Sequence, residues 1–182
     1  MTADRTAVVL PGGMFGPHAP LLMYSADAAE RRGARVWSIS WSRPDELPTL
    51  DPASRGSWVR NDAEPALEAA GEGALVIAKS LGTYAAPLAA DRRLPAIWLT
   101  PVLTDSWVID GLRRATAPLL LVGGTADPLW HGDVARELTP YVLEVPGADH
   151  GMYVEGPLAQ SAKILGQVAT AAERFLDDVV WP

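Results

Sequence analysis

A serine hydroxyl is a weak nucleophile at neutral pH and needs a neighbouring base to take its proton. Ser80 stands where such a hydroxyl could be presented, because the apolar run 74–78 leads directly into Ala78-Lys79-Ser80-Leu81-Gly82. A sharp strand-to-helix turn brings neighbouring backbones together, which demands small residues two before and two after the serine; Ala78 and Gly82 fill both places. The same five residues also fit a buried strand ending at an ordinary serine helix cap, so the surroundings must decide. The chain has no cysteine, which excludes disulfides, thiolate metal sites and a thiol nucleophile. Two later glycine-containing stretches carry candidate partners. These are Gly123-Gly124-Thr125-Ala126-Asp127-Pro128 and Pro146-Gly147-Ala148-Asp149-His150-Gly151.

Those loops matter only if the chain brings them to one place. Short apolar or β-rich runs at 7–10, 36–41, 74–78, 96–99, 119–122 and 141–145 are read as six strands. Helical patterns lie between them: 21–32 stopped by Gly33, 58–70 behind Ser57 with Pro65 inside it, 105–115, 131–138, and a last helix from near Pro157 to about Val180. Pro65 is compatible with a kinked helix or two pieces, and Pro87 is expected to bend or shorten the helix after Ser80. The proline-rich stretch 42–57, with Pro44, Pro48 and Pro52, is read as the longest irregular segment and the one long enough to act as a flap. Strands alternating with helices imply an α/β fold of three layers, α/β/α, around a mostly parallel six-stranded sheet. The 182 residues, 48% of them apolar, suit a single domain over 1–182 that buries roughly 70% of its unfolded surface. In such sheets ligands bind at the carboxyl ends of the strands, where Ser80, Asp127 and His150 all fall.

With these three stretches in the order Ser, Asp, His, each after a strand, the sequence resembles the α/β-hydrolase family along nearly its whole length. Leu10-Pro11-Gly12-Gly13 and the Lys79-Ser80-Leu81-Gly82 elbow resemble the small lidless members similar to dienelactone hydrolases. The resemblance implies Ser80 as nucleophile, His150 as general base and Asp127 as the carboxylate that orients the imidazole. It further implies an oxyanion hole from the backbone N–H of Leu81 and a second donor after the first strand, Gly13 or else Met14. Many members carry His-Gly where this chain has Pro11-Gly12, and the usual eight strands are here reduced to six. The link 101–117 has room for one helix and none for the inserted cap domain of many members, so the expected cleft is shallow and open.

Other residues invite competing readings. His18 could line the pocket or make a turn contact, His131 could open a helix, and Asp149, next to His150, suits a turn. Lys79 reads as a solvated or structurally paired ammonium. Phe15, His18, Trp107, Trp130 and Met152 flank the proposed machinery and are the candidate pocket residues, although aromatics most often fill a core. Asp127, His131, Asp133, Asp149 and His150 show no fixed ligand spacing, so no metal and no cofactor is expected. A net charge of −7 with no basic run longer than two disfavours nucleic acid. No apolar stretch approaches the ~18 residues of a membrane span, and residues 1–6 lack the long apolar core of a signal peptide. The expectation is a cytoplasmic serine hydrolase acting on a small ester-like molecule, with no membrane partner and an unspecified oligomeric state. A hydrolase-like scaffold that binds a ligand or partner without turnover is the alternative.

Overall fold

The computed structural model describes residues 5–42 and 46–182. The apolar runs form one sheet of six strands: β1 (Thr6–Leu10), β2 (Arg35–Ser38), β3 (Leu75–Lys79), β4 (Ala96–Leu99), β5 (Leu119–Gly124) and β6 (Val142–Val145). Their order is β2-β1-β3-β4-β5-β6, and every neighbouring pair is parallel. Parallel neighbours need long crossovers. Here these contain α1 (Pro20–Glu30), α2 (Pro52–Ala70), α3 (Ala86–Asp91), α4 (Ser106–Arg113) and α5 (Gly132–Leu138), and α6 (Leu158–Phe175) follows the last strand. The strand order reverses between β1 and β3, which places a topological switch point beside Ser80.

Strand alternation sorts the core into two layers. Leu75 and Ile77 of β3 pack with Leu22 of α1 and Val168 and Phe175 of α6. Val76 and Ala78 face the other way, toward Val59 and Leu67 of α2, Leu88 of α3 and Val108 of α4. Because β1, β4 and β5 are buried throughout, they read in the sequence as unbroken apolar runs rather than as alternating ones.

Several boundaries differ from expectation for local reasons. α2 begins at Pro52, ahead of the expected start at 58, because Asp51 caps it by accepting the N–H groups of Ala53 and Ser54. Proline costs nothing at a first helical position. The helix then passes through Pro65 unbroken, with that residue on its exposed face where water can serve the freed carbonyl. β2 stops at Ser38, and Trp41 instead donates its indole N–H to the Pro11 carbonyl at 2.8 Å and packs against Trp58 of α2. Pro87 opens α3 rather than bending it, since a 3₁₀ turn, Ser80–Ala85, comes first.

The irregular stretch is therefore shorter than 42–57, and it contains a 3₁₀ turn at Leu47–Thr49. Arg55 holds this segment by donating to the carbonyls of Pro48 and Leu50 and to the Tyr84 hydroxyl. Tyr84 in turn donates to Asp105, and burial together with that bond pushes its phenol up to about 12. Pro44 and residues 1–4, to which the flap and leader expectations partly refer, lie outside the described residues. No described helix is long and apolar enough to cross a membrane. Between β4 and β5 there is one helix, α4, and no cap domain.

Candidate active site

β3 delivers Ser80 into a tight turn in which its backbone has a φ of +49°. Such left-handed geometry at a residue other than glycine costs on the order of 1–3 kcal/mol, and the surrounding packing must hold it. Gly82 shows how tight the packing is. A β-carbon there would run into the Leu10 carbonyl oxygen of β1. Gly82→Ala is thus expected to force β1 and the elbow apart at a cost of about 1–3 kcal/mol, read as a lower midpoint in chemical denaturation. An unchanged midpoint would show that the approach is looser than described.

Three side chains converge at this edge. Nε2 of His150 lies 2.9 Å from Oγ of Ser80, and Nδ1 lies 2.7 Å from Oδ2 of Asp127. Asp127 is only 3% exposed, and its other oxygen accepts the Leu129 N–H at 2.9 Å. A carboxylate can only accept, so the imidazole proton belongs on Nδ1 and the Nε2 lone pair faces the serine hydroxyl. The loops after β5 and β6 are tied to each other, with the Thr125 and Ala126 N–H groups bonded to the Val145 and Ala148 carbonyls. Asp149 serves its turn by accepting the N–H groups of Gly151 and Tyr153. His131 sits at the start of α5 and is exposed.

Two hollows adjoin the serine. A recess of about 100 Å³ is lined by Gly12, Gly13, Met14, Phe15, Ser80 and His150 among others, so the loop after β1 faces the hydroxyl. Beside it a cavity of about 630 Å³ runs between the starts of α1 and α6, with Phe15, His18 and Met152 in its wall. Met14 and Phe15 are 82% and 77% exposed. The cavity also takes in Leu21, Leu158, Ser161 and Leu165, which the sequence reading did not place at the site. Their signal was the helical spacing 158, 161, 165, which looks the same on a helix facing a cavity as on one facing core.

The two tryptophans must be reassigned. Trp107 packs its indole where a β-carbon on Gly56 of α2 would sit, donates to the Tyr84 carbonyl, and lines a different surface hollow with Pro52 and Arg114. It anchors α4 rather than a ligand. Trp130 is buried against Gly123 and gives its N–H to Glu144 at 2.7 Å, which makes it part of the core. Lys79, by contrast, reaches the site. Its Nζ donates to the His150 carbonyl at 3.2 Å, burial lowers its pKa, and the charges of Asp127 and Asp149 oppose that lowering. Among the described residues no cluster of His, Asp or Glu could hold a metal ion.

A doubly covered parallel sheet with a strained serine at the end of β3, an aspartate after β5 and a histidine after β6 defines the α/β-hydrolase fold, here in a six-stranded form. Solved structures similar to this chain share that fold. One is a protein of the alpha/beta hydrolase superfamily from Xanthomonas campestris pv. campestris, with TM-score 0.70 and 19% identity over 97% of this chain and 100% of that one. Another is Est1E from Butyrivibrio proteoclasticus with ferulic acid bound, with TM-score 0.68 and 14% identity over 98% and 90%. A third is the dienelactone hydrolase from Anabaena variabilis, with TM-score 0.64 and 18% identity over 98% and 88%. No family model and no curated protein matches the sequence, so the likeness is one of fold.

Proposed function

We propose that this protein is a serine hydrolase that cleaves a small carboxylic ester or thioester through an acyl-enzyme. One observation carries the reading: a single imidazole joins the Ser80 hydroxyl at 2.9 Å to a buried carboxylate at 2.7 Å. In the first step Ser80 Oγ attacks the carbonyl carbon while its proton passes to His150 Nε2, and Asp127 stabilises the resulting imidazolium. The N–H groups of Leu81 and of Gly13 or Met14 stabilise the oxyanion. Leu81 lies in the first turn of the 3₁₀ segment, where N–H groups have no partner within the helix. His150 then protonates the departing alcohol or thiol. Water, losing a proton to the same nitrogen, attacks the acyl carbon; the acid leaves and Ser80 regains its proton.

Structural likeness to Est1E and to a dienelactone hydrolase supports this reaction class. The test is a fluorophosphonate adduct located on Ser80 by mass spectrometry, together with a burst of p-nitrophenol from p-nitrophenyl acetate. An unmodified Ser80 in a folded protein that an apolar ligand nevertheless stabilises against heat would replace this reading with the silent scaffold.

A further inference from the structure

Lys79 is a half-buried cation that the reaction just described does not use. Strand alternation puts it on the same side of β3 as Leu75 and Ile77, toward α1 and α6, and it lines both the 630 Å³ cavity and the recess at Ser80. One of its three donors goes to the His150 carbonyl. No carboxylate is in ion-pair contact with it among the described residues. Asp127 and Asp149 attract it from farther off, but Asp127 is engaged by His150 and Leu129, and Asp149 by Gly151 and Tyr153. Among the described residues the cavity wall holds no Asp or Glu. Besides Lys79 its titratable groups are His18, His150 and Tyr153, and the rest is mostly apolar, with Leu21, Met152 and Leu165 among it. In a chain of net charge −7 this is a pocket with only basic side chains to meet a ligand's charge.

We propose that Lys79 makes this enzyme selective for acyl groups that carry a carboxylate, so that its substrates are half-esters or half-thioesters of short, apolar dicarboxylic acids. The inference rests on the serine-hydrolase reading. A ligand carboxylate takes the remaining donors of a cation partly withdrawn from water, and its methylenes cover the apolar wall. Because Lys79 lines the same recess of about 100 Å³ as Ser80, an anion on Nζ is held within a short acyl chain's reach of the scissile carbonyl.

The experiment compares kcat/KM for p-nitrophenyl hemiadipate and p-nitrophenyl hexanoate, which exchange a carboxylate for a methyl group, in wild type, Lys79→Met and Lys79→Arg. The expected result is a wild-type preference for the hemiadipate that falls about ten- to hundredfold in Lys79→Met and is largely kept in Lys79→Arg. Equal fractional losses for both esters would overturn the proposal, since Lys79 would then act only by holding the His150 loop. A wild type with no preference would overturn it as well. If Lys79→Met fails to fold, the wild type alone decides: monomethyl adipate is expected to inhibit hexanoate cleavage at lower concentration than methyl hexanoate, and the reverse order rejects the idea. Cleavage of the hexanoate without carboxylate preference removes only this inference, whereas failure to cleave either ester together with an unlabelled Ser80 removes the hydrolase reading and this inference with it.

Discussion

Ser80→Ala is expected to lower turnover of p-nitrophenyl acetate by up to about a million-fold and to abolish the fluorophosphonate adduct. The size of the effect follows from interdependence: in the proposed mechanism the acyl group is carried on Ser80, so the acid and base work of His150 and the support of Asp127 have nothing to act on once the hydroxyl that Nε2 touches is gone. What survives is binding and oxyanion stabilisation, of order 10³–10⁴ over water. Stability should scarcely change. The His150 side chain is 33% exposed, so water can satisfy Nε2 once the hydroxyl is gone, and the melting temperature should report a difference within about 0.5 kcal/mol. Retention of a tenth or more of the wild-type rate would remove Ser80 from the chemistry.

The second large effect is expected at Asp127. Asparagine preserves the shape but offers the ring either an amide oxygen or an N–H, and the N–H would hold the imidazole with its proton on Nε2, pointing at the serine. A base in that tautomer cannot accept the hydroxyl proton. Asp127→Asn should therefore reduce kcat about 10⁴-fold, the scale known for this change in serine-protease triads, with little change in KM. The Leu129 N–H that Asp127 now binds can be kept by the amide oxygen, so the loop after β5 should stay folded. Circular dichroism and a thermal melt check the fold, and steady-state kinetics checks the rate. A loss below about tenfold would mean that the carboxylate does not govern the ring.

How much of this was legible in the chain depends on which forces set each feature. Central strands announce themselves, because burial on both faces leaves only apolar side chains; β4 falls at 96–99 as expected. Helix starts are less plain. Pro52 looks like loop until Asp51 is recognised as its cap, and Pro87 looks like a breaker until the 3₁₀ turn before α3 shifts it into a first turn. The polar residues of the site stand out because glycine-containing loops at strand ends hold few others. Trp107 and Trp130 mislead for the opposite reason: proximity to a strand end in sequence does not say on which side of the sheet an indole will lie, and Gly56 and Gly123 make room for them in the core. Phe15, His18 and Met152 of the cavity wall were legible beside the strand ends, but its α6 face was not, because the gap between α1 and α6 is a property of two helices far apart in sequence.

The single eight-residue helix between β4 and β5 has a kinetic corollary. Enzymes with a closing cover spend part of each cycle opening and shutting it, and gain a drier interior in return. Under the proposed hydrolase reading, the second nucleophile reaches a site without an inserted cap straight from bulk solvent, and the acid departs by the same route. On that reading no cap movement between β4 and β5 enters the cycle, and viscosity is expected to leave its mark mainly on encounter with substrate.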